Sequence, residues 1–185
     1  KEQIESFLGA ARAKVAVEPL MNTLQRGTDE TTAVWALGEI RAANAVPLLI
    51  KKFPNASNKH YSAEAFGKIA TPEAVDFLIR HLDEYLAPQA LYQSGSEKAL
   101  PALEAHLEKV RMKKDGDGAT NIAATRIAIV RLKSKAPALE LLALAENPAE
   151  EEHVRRDAMS ALDDYDVQPL HPRLVALFKR DRDCS

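Results

Sequence analysis

The sequence predicts an all-α protein built from helix pairs that repeat along the chain. Three observations carry this. Alanine and leucine supply 31 and 22 of the 185 residues, against 7 glycines, a composition weighted towards strong helix formers. Apolar residues recur at helical spacing, as in Leu20 and Leu24, and in Leu48 and Leu49 with Phe53 beyond, which marks one buried stripe per helix. A five-residue element also returns at fixed distance. Ala16-Val17-Glu18-Pro19-Leu20 is followed by Ala45-Val46-Pro47-Leu48-Leu49 and by Ala74-Val75-Asp76-Phe77-Leu78, with the same step each time. A period of about 29 residues is the signature of stacked repeats, each too small to bury its own apolar face.

Each copy is preceded by a second element. Ala36-Leu37-Gly38-Glu39-Ile40 aligns with Ala65-Phe66-Gly67-Lys68-Ile69 at the same step, and Leu8-Gly9 lies one step before Leu37-Gly38. Later copies of the first element are Ala90-Leu91-Tyr92, Ala128-Ile129-Val130-Arg131-Leu132 and Ala161-Leu162-Asp163-Asp164-Tyr165. Later copies of the second are Ala99-Leu100-Pro101-Ala102-Leu103, Ala138-Leu139-Glu140-Leu141-Leu142 and Val167-Gln168-Pro169-Leu170. The reading is one solenoid of six two-helix units, at 1–27, 28–56, 57–83, 84–113, 118–147 and 148–180, twelve helices in all. Turn residues separate them at Arg26-Gly27-Thr28-Asp29 and Phe53-Pro54-Asn55. Thr71-Pro72-Glu73 reads as an N-cap hydroxyl, a proline at the first helical position and an early carboxylate. Asn147-Pro148 reads as a second such start, and Ser94-Gly95-Ser96-Glu97 as a capping box. Gly38 and Gly67 come late in the first helix of their units. A missing side chain there lets the next helix approach, a gain that outweighs a propensity cost of about 0.5–1 kcal/mol. Between the fourth and fifth units the step from Ala99 to Ala138 is longer than the others, and 112–120 read as a flexible insertion.

These residues resemble HEAT repeats of the short kind named PBS lyase HEAT-like repeats. The pairing Ala-Leu-Gly-x-Ile then Ala-Val-x-x-Leu at 36–49 carries the resemblance, which is sharpest over 28–83. It implies a right-handed superhelix of stacked helix pairs, with the second helices lining the concave face. It implies little about activity, because fold does not carry function with it.

The chemistry of the chain excludes more than it offers. Formal net charge is -2, too near zero for a strongly basic nucleic-acid binder. Phosphate-binding, nucleophile-elbow, zinc-protease and CxxC motifs are absent from the sequence. Cys184 is the single cysteine, so no internal disulfide forms. Asp115-Gly116-Asp117-Gly118 hints at a calcium loop, but Lys113 and Ala124 fall where its first and twelfth residues should be acidic. His60 with Glu64, and His153 with Asp157, have the i,i+4 spacing of metal ligands. The two pairs sit in different registers of the repeat, so no metal or other cofactor is expected. No apolar run reaches membrane-spanning length, and the chain is expected in the cytoplasm.

What remains is surface. Six residues beyond the Val17 position the units read Thr23, Lys52, His81, His106, Ala145 and Arg173. One residue earlier they read Asn22, Lys51 and Arg80 in the first three units. Lys51, Lys52, Arg80, His81 and His106 are therefore the candidate contacts of a basic strip on the concave face, without acids in the same register. Trp35, the only tryptophan, falls where other units carry Ser6, Glu64, Gln89, Ile127 and Ser160, four of the five polar, and is a second candidate contact on the outer side. The expectation is a non-catalytic scaffold that binds an acidic segment of another protein. Self-association through a solenoid end is a further expectation, and nucleic acid is disfavoured. The family resemblance holds two alternatives, a phycobilin lyase-like chromophore attachment factor and a HEAT-like nucleic-acid-binding protein.

The register also names a core: Leu37, Ile40, Leu48, Phe66, Ile69, Val75 and Leu78, with Ile4, Phe7 and Leu8 on the inner face of a short opening helix. Leu37→Ala should cost about 2–5 kcal/mol of stability in urea unfolding. A loss well below that range would show the register to be wrong.

Overall fold

The computed structural model describes residues 2–55, 59–84, 86–112 and 116–183, and the side chains of 14–54, 59–84, 86–112 and 122–179. The described residues are helical or in turns, with no strand among them. They form two compact units, Lys1–Ala99 and Leu100–Ser185. The division falls inside the expected fourth repeat.

The first unit holds α1 (Glu2–Arg26), α2 (Glu30–Glu39), α3 (Val46–Lys52), α4 (Lys59–Ile69), α5 (Pro72–Arg80) and α6 (Ala87–Ser94). α2, α4 and α6 pack side by side in one layer, with α1 against α2. α3 and α5 form the second layer and pack on each other and on α4, while α5 also packs on α6. This succession of paired helices is the arrangement of an α-solenoid. The opening unit departs from expectation. Its two helices are one, α1, because Ala10 to Ala16 follows the lone Gly9 with mostly strong helix formers and no further turn residue. Eleven α-helices therefore stand among the described residues in place of twelve. The side chains of Ile4, Phe7 and Leu8 lie outside the described set.

Why the layer of first helices is so close follows from two glycines. A Cβ added at Gly38 would lie 2.8 Å from Ala65 Cα, and one at Gly67 would lie 2.6 Å from the Ala90 carbonyl oxygen. Real Cβ atoms do not reach such distances, so the α2–α4 and α4–α6 crossings admit only hydrogen at these positions. Ala65 and Ala90 supply the matching small surface and are themselves buried. Leu37 and Phe66, beside the glycines, are fully buried, as are Val75 and Leu78 on α5, with Ile69 8% exposed. Ile40 and Leu48 do not join them: both are only partly buried. In α3 the buried stripe runs instead through Val46, Leu49 and Phe53.

The ends of the first helices repeat as well. Arg41 and Ala70 occupy equivalent positions of consecutive repeats, and both take the left-handed conformation, with φ of 55°. At Arg41 the Ala42 and Arg41 amides donate to the Leu37 and Gly38 carbonyls, closing the helix in a Schellman turn that usually takes glycine. Thr71 caps α5 as expected, its hydroxyl accepting from the Ala74 amide. The segment at Ser94 does not form a capping box. Ser94 donates to the Leu91 carbonyl, and Gly95, at φ 65°, ends α6.

The second unit holds α7 (Leu100–Arg111), α8 (Gly116–Lys133), α9 (Pro137–Glu146), α10 (Glu152–Ser160) and α11 (His171–Asp183). α8 packs on α7 and α10, and α9 on α10. Leu141, Leu142, Val154, Ala158 and Leu162 centre its core. Two sequence expectations change here. The backbone of 116–120, read as part of a flexible insertion, begins α8. Asn147 closes a turn by accepting from the Ala149 amide, and α10 starts only at Glu152.

Gly38→Ala and Gly67→Ala should both lower thermal stability, by about 1–3 kcal/mol of overpacking. Gly67→Ala should do so more, since its obstacle is nearer, at 2.6 Å against 2.8 Å. Ala70→Gly should act in the opposite sense, relieving a left-handed cost of roughly 1–2 kcal/mol. Calorimetry on the three variants checks the signs.

Candidate functional site

The second helices of the first unit carry the basic candidates. Successive repeats place Asn22 on α1, Lys51 on α3 and Arg80 on α5 in one register, and all three are exposed. Neither Lys51 nor Arg80 makes an ion pair among the described residues. The register one residue later behaves differently. Lys52 donates to Glu30 Oε1 at 2.9 Å. That acid comes from the first helix of the same repeat, which a comparison of second helices alone does not see. His81 is half-buried. Its ring stacks on Phe77 at 4.1 Å and meets Phe53 edge-on at 5.3 Å, inside an aromatic cluster with Phe66. The Nδ1 atom lies 2.8 Å from the Phe77 carbonyl, so the proton sits on Nδ1 and donates along the helix.

His106 belongs to the second unit and is 5% exposed. It is a core residue of α7 and not an exposed rung. In that unit Arg173, expected in the register of Lys52, is bound by both Glu146 oxygens, with Nε to Oε1 at 3.1 Å.

Trp35 on α2 is 47% exposed. The same register gives Glu64 on α4 and Gln89 on α6. His60, Glu64, Leu86, Gln89, Ala90 and Gln93 line a cavity of about 260 Å³. His60 Nε2 stands 3.9 Å from Glu64. His153 meets Glu151 at 3.4 Å rather than Asp157. No cluster of three His, Cys, Asp or Glu able to hold a metal is gathered among the described residues, and Cys184 lies outside them. No helix among them is long and apolar enough to cross a membrane.

A charge ladder on the first helices was not anticipated. Lys68 on α4 donates to Glu39 on α2, and to Glu64 on its own helix at 2.6 Å. Glu39 and Lys68 are equivalent positions of consecutive repeats. Their opposite signs were the available signal. The Glu39 hydrogen bond, and after it that of Glu64, hold the Lys68 ammonium above the usual lysine range.

Helix pairs stacked at a fixed period through glycine–alanine crossings make this a helical-repeat protein. The family model of the PBS lyase HEAT-like repeat matches residues 31–53 and 59–84, so the second and third repeats are HEAT-like repeats of this type. No curated protein and no solved structure matches the chain.

Because the folded state raises the Lys68 pKa, its stabilisation is complete below the unfolded lysine value of 10.5 and fades as pH rises through the folded value. Lys68→Met should therefore cost about 0.2–1 kcal/mol at neutral pH, the range of exposed pairs. The gap from wild type should close well above pH 10.5. Urea titrations at neutral and strongly alkaline pH measure it.

Proposed function

We propose that the chain is a non-catalytic HEAT-repeat scaffold that binds an acidic segment of another protein across the Asn22, Lys51 and Arg80 register. One observation carries this reading. Lys51 and Arg80 occupy equivalent exposed positions on consecutive repeats and are not matched by carboxylates among the described residues. Four other lysines of the same unit, Lys52, Lys59, Lys68 and Lys98, are each paired. The two cations stand on α3 and α5, which pack on each other, and packed helix axes lie about 8–10 Å apart. An extended peptide rises about 3.3 Å per residue. Two acids three residues apart in such a peptide therefore meet both cations at once. Leu48 lines a cavity beside this register together with Gln25, Lys51 and the Glu30–Lys52 pair.

The test is fluorescence anisotropy with a peptide carrying two aspartates three residues apart. Lys51→Glu with Arg80→Glu should weaken binding by roughly tenfold or more, as loss of complementary charge does. Binding should also fall between about 50 and 200 mM salt, because exposed charges are screened over about 10 Å at 0.1 M. Unchanged affinity in a folded double variant overturns the proposal.

A further inference from the structure

The last helix of the second unit breaks the pattern of its own repeat. Aligned on the repeat, α11 is the counterpart of α7, with Val167 at the position of Leu100. Burial agrees with that alignment. Leu103 and Leu170 are buried, and so are Val110 and Leu177. The outward positions differ in kind. On α7 they are Glu108 and Arg111, which face water as an ion pair at 3.1 Å. On α11 the same two positions are Val175 and Phe178, 38% and 60% exposed. An exposed aromatic at a position where the sister helix keeps a solvated ion pair marks a face that meets something apolar.

Phe178 and Leu177 line a cavity of about 290 Å³ together with Ala145 of α9 and Met159 and Ser160 of α10. Glu152, Arg155 and Arg156 of α10 line the same cavity. Arg155 is partly committed, donating to the Glu150 carbonyl at 3.1 Å. Arg156 is 69% exposed, with its nearest acid, Asp157, at 3.8 Å. Glu152 is exposed and has no ion-pair partner among the described residues. The patch thus presents an exposed ring, a cavity, a cation and an anion together. Glu152 and Arg156 stand one helical turn apart, on one side of α10.

We infer that this face binds a second copy of the chain across a two-fold axis. The charge arrangement is what selects that occupant. A two-fold interface is self-complementary, so each contact occurs twice with the roles exchanged. Two α10 helices that meet antiparallel bring Glu152 of each copy to Arg156 of the other. The same operation carries each Phe178 towards the other copy's cavity. That cavity is larger than the roughly 150 Å³ that accommodates benzene in an engineered protein core. A partner of single charge sign would satisfy one of the two ionic positions and desolvate the other, a loss that the second copy avoids.

Sedimentation equilibrium on the full chain tests this. The wild type should form dimers in a concentration-dependent manner, and Phe178→Glu should weaken the dimer by roughly tenfold or more, as loss of a central aromatic does. Because Phe178 is exposed, the variant should keep its circular dichroism spectrum. Glu152→Arg and Arg156→Glu should each weaken the dimer, and the two together should restore it, since the pairs are then re-formed with exchanged signs. A wild type that stays monomeric at every concentration overturns the inference. So does a dimer indifferent to Phe178→Glu, or a double exchange that behaves as the sum of its single variants.

Discussion

The contact on which the first unit rests is between the bare Cα of a glycine and the backbone of the next first helix. Gly38 lies against Ala65, and Gly67 against Ala90, closer than any side chain allows. Everything else in that layer is placed by the distance so fixed. Leu37 and Phe66 are the neighbours of the glycines along the chain. They become fully buried because the backbones on either side are already drawn together. Burial of about 25 cal/mol per Å² of apolar surface then works over short helices that would be marginal alone. The left-handed turns at Arg41 and Ala70 belong to the same constraint. Each ends a first helix at the same point of the repeat and redirects the chain, although neither residue is a glycine.

Tight first helices leave the second helices freer. α3 and α5 bury one stripe each, through Val46 and Leu49 and through Val75 and Leu78, and their outward positions do not determine the stacking. Those positions can therefore hold unmatched cations, such as Lys51 and Arg80, at little cost to the fold. In the second unit the same freedom shows on α11, where Val175 and Phe178 replace the charged residues of α7. The surface of α3 and α5 and the surface of α11 both lie on second helices, where packing makes the fewest demands.

The architecture was legible because it repeats. A constant period identified the helix pairs, the role of the two glycines and most of the core, and the family match falls on the two repeats that showed the period most sharply. What was not legible depends on pairing between elements. The acid that binds Lys52 stands on the preceding first helix, and no comparison of equivalent positions finds it. His106 reads as an exposed rung by register. It is buried because α7, at Leu100–Arg111, is much longer than α3, at Val46–Lys52, and packs closely on α8. Asn147-Pro148 has the chemistry of a helix start, yet the helix waits until Glu152, since the asparagine side chain closes a turn first. The opening helix divides in the sequence by analogy with later units, although Gly9 alone, followed by helix formers, does not divide it.

The two faces of the first unit treat charge in opposite ways, and the difference bears on function. On the first helices, the equivalent positions Glu39 and Lys68 carry opposite signs and bind each other across one repeat. On the second helices, the equivalent positions Lys51 and Arg80 carry the same sign. At a spacing of about 10 Å in water, like charges repel by roughly 0.4 kcal/mol. That is small beside the packing terms, but it has the wrong sign for a surface shaped by folding alone. The like-charged register is the one proposed above to meet an acidic segment. An acidic segment laid across both cations turns that repulsion into two attractions, with no rearrangement of the helices beneath.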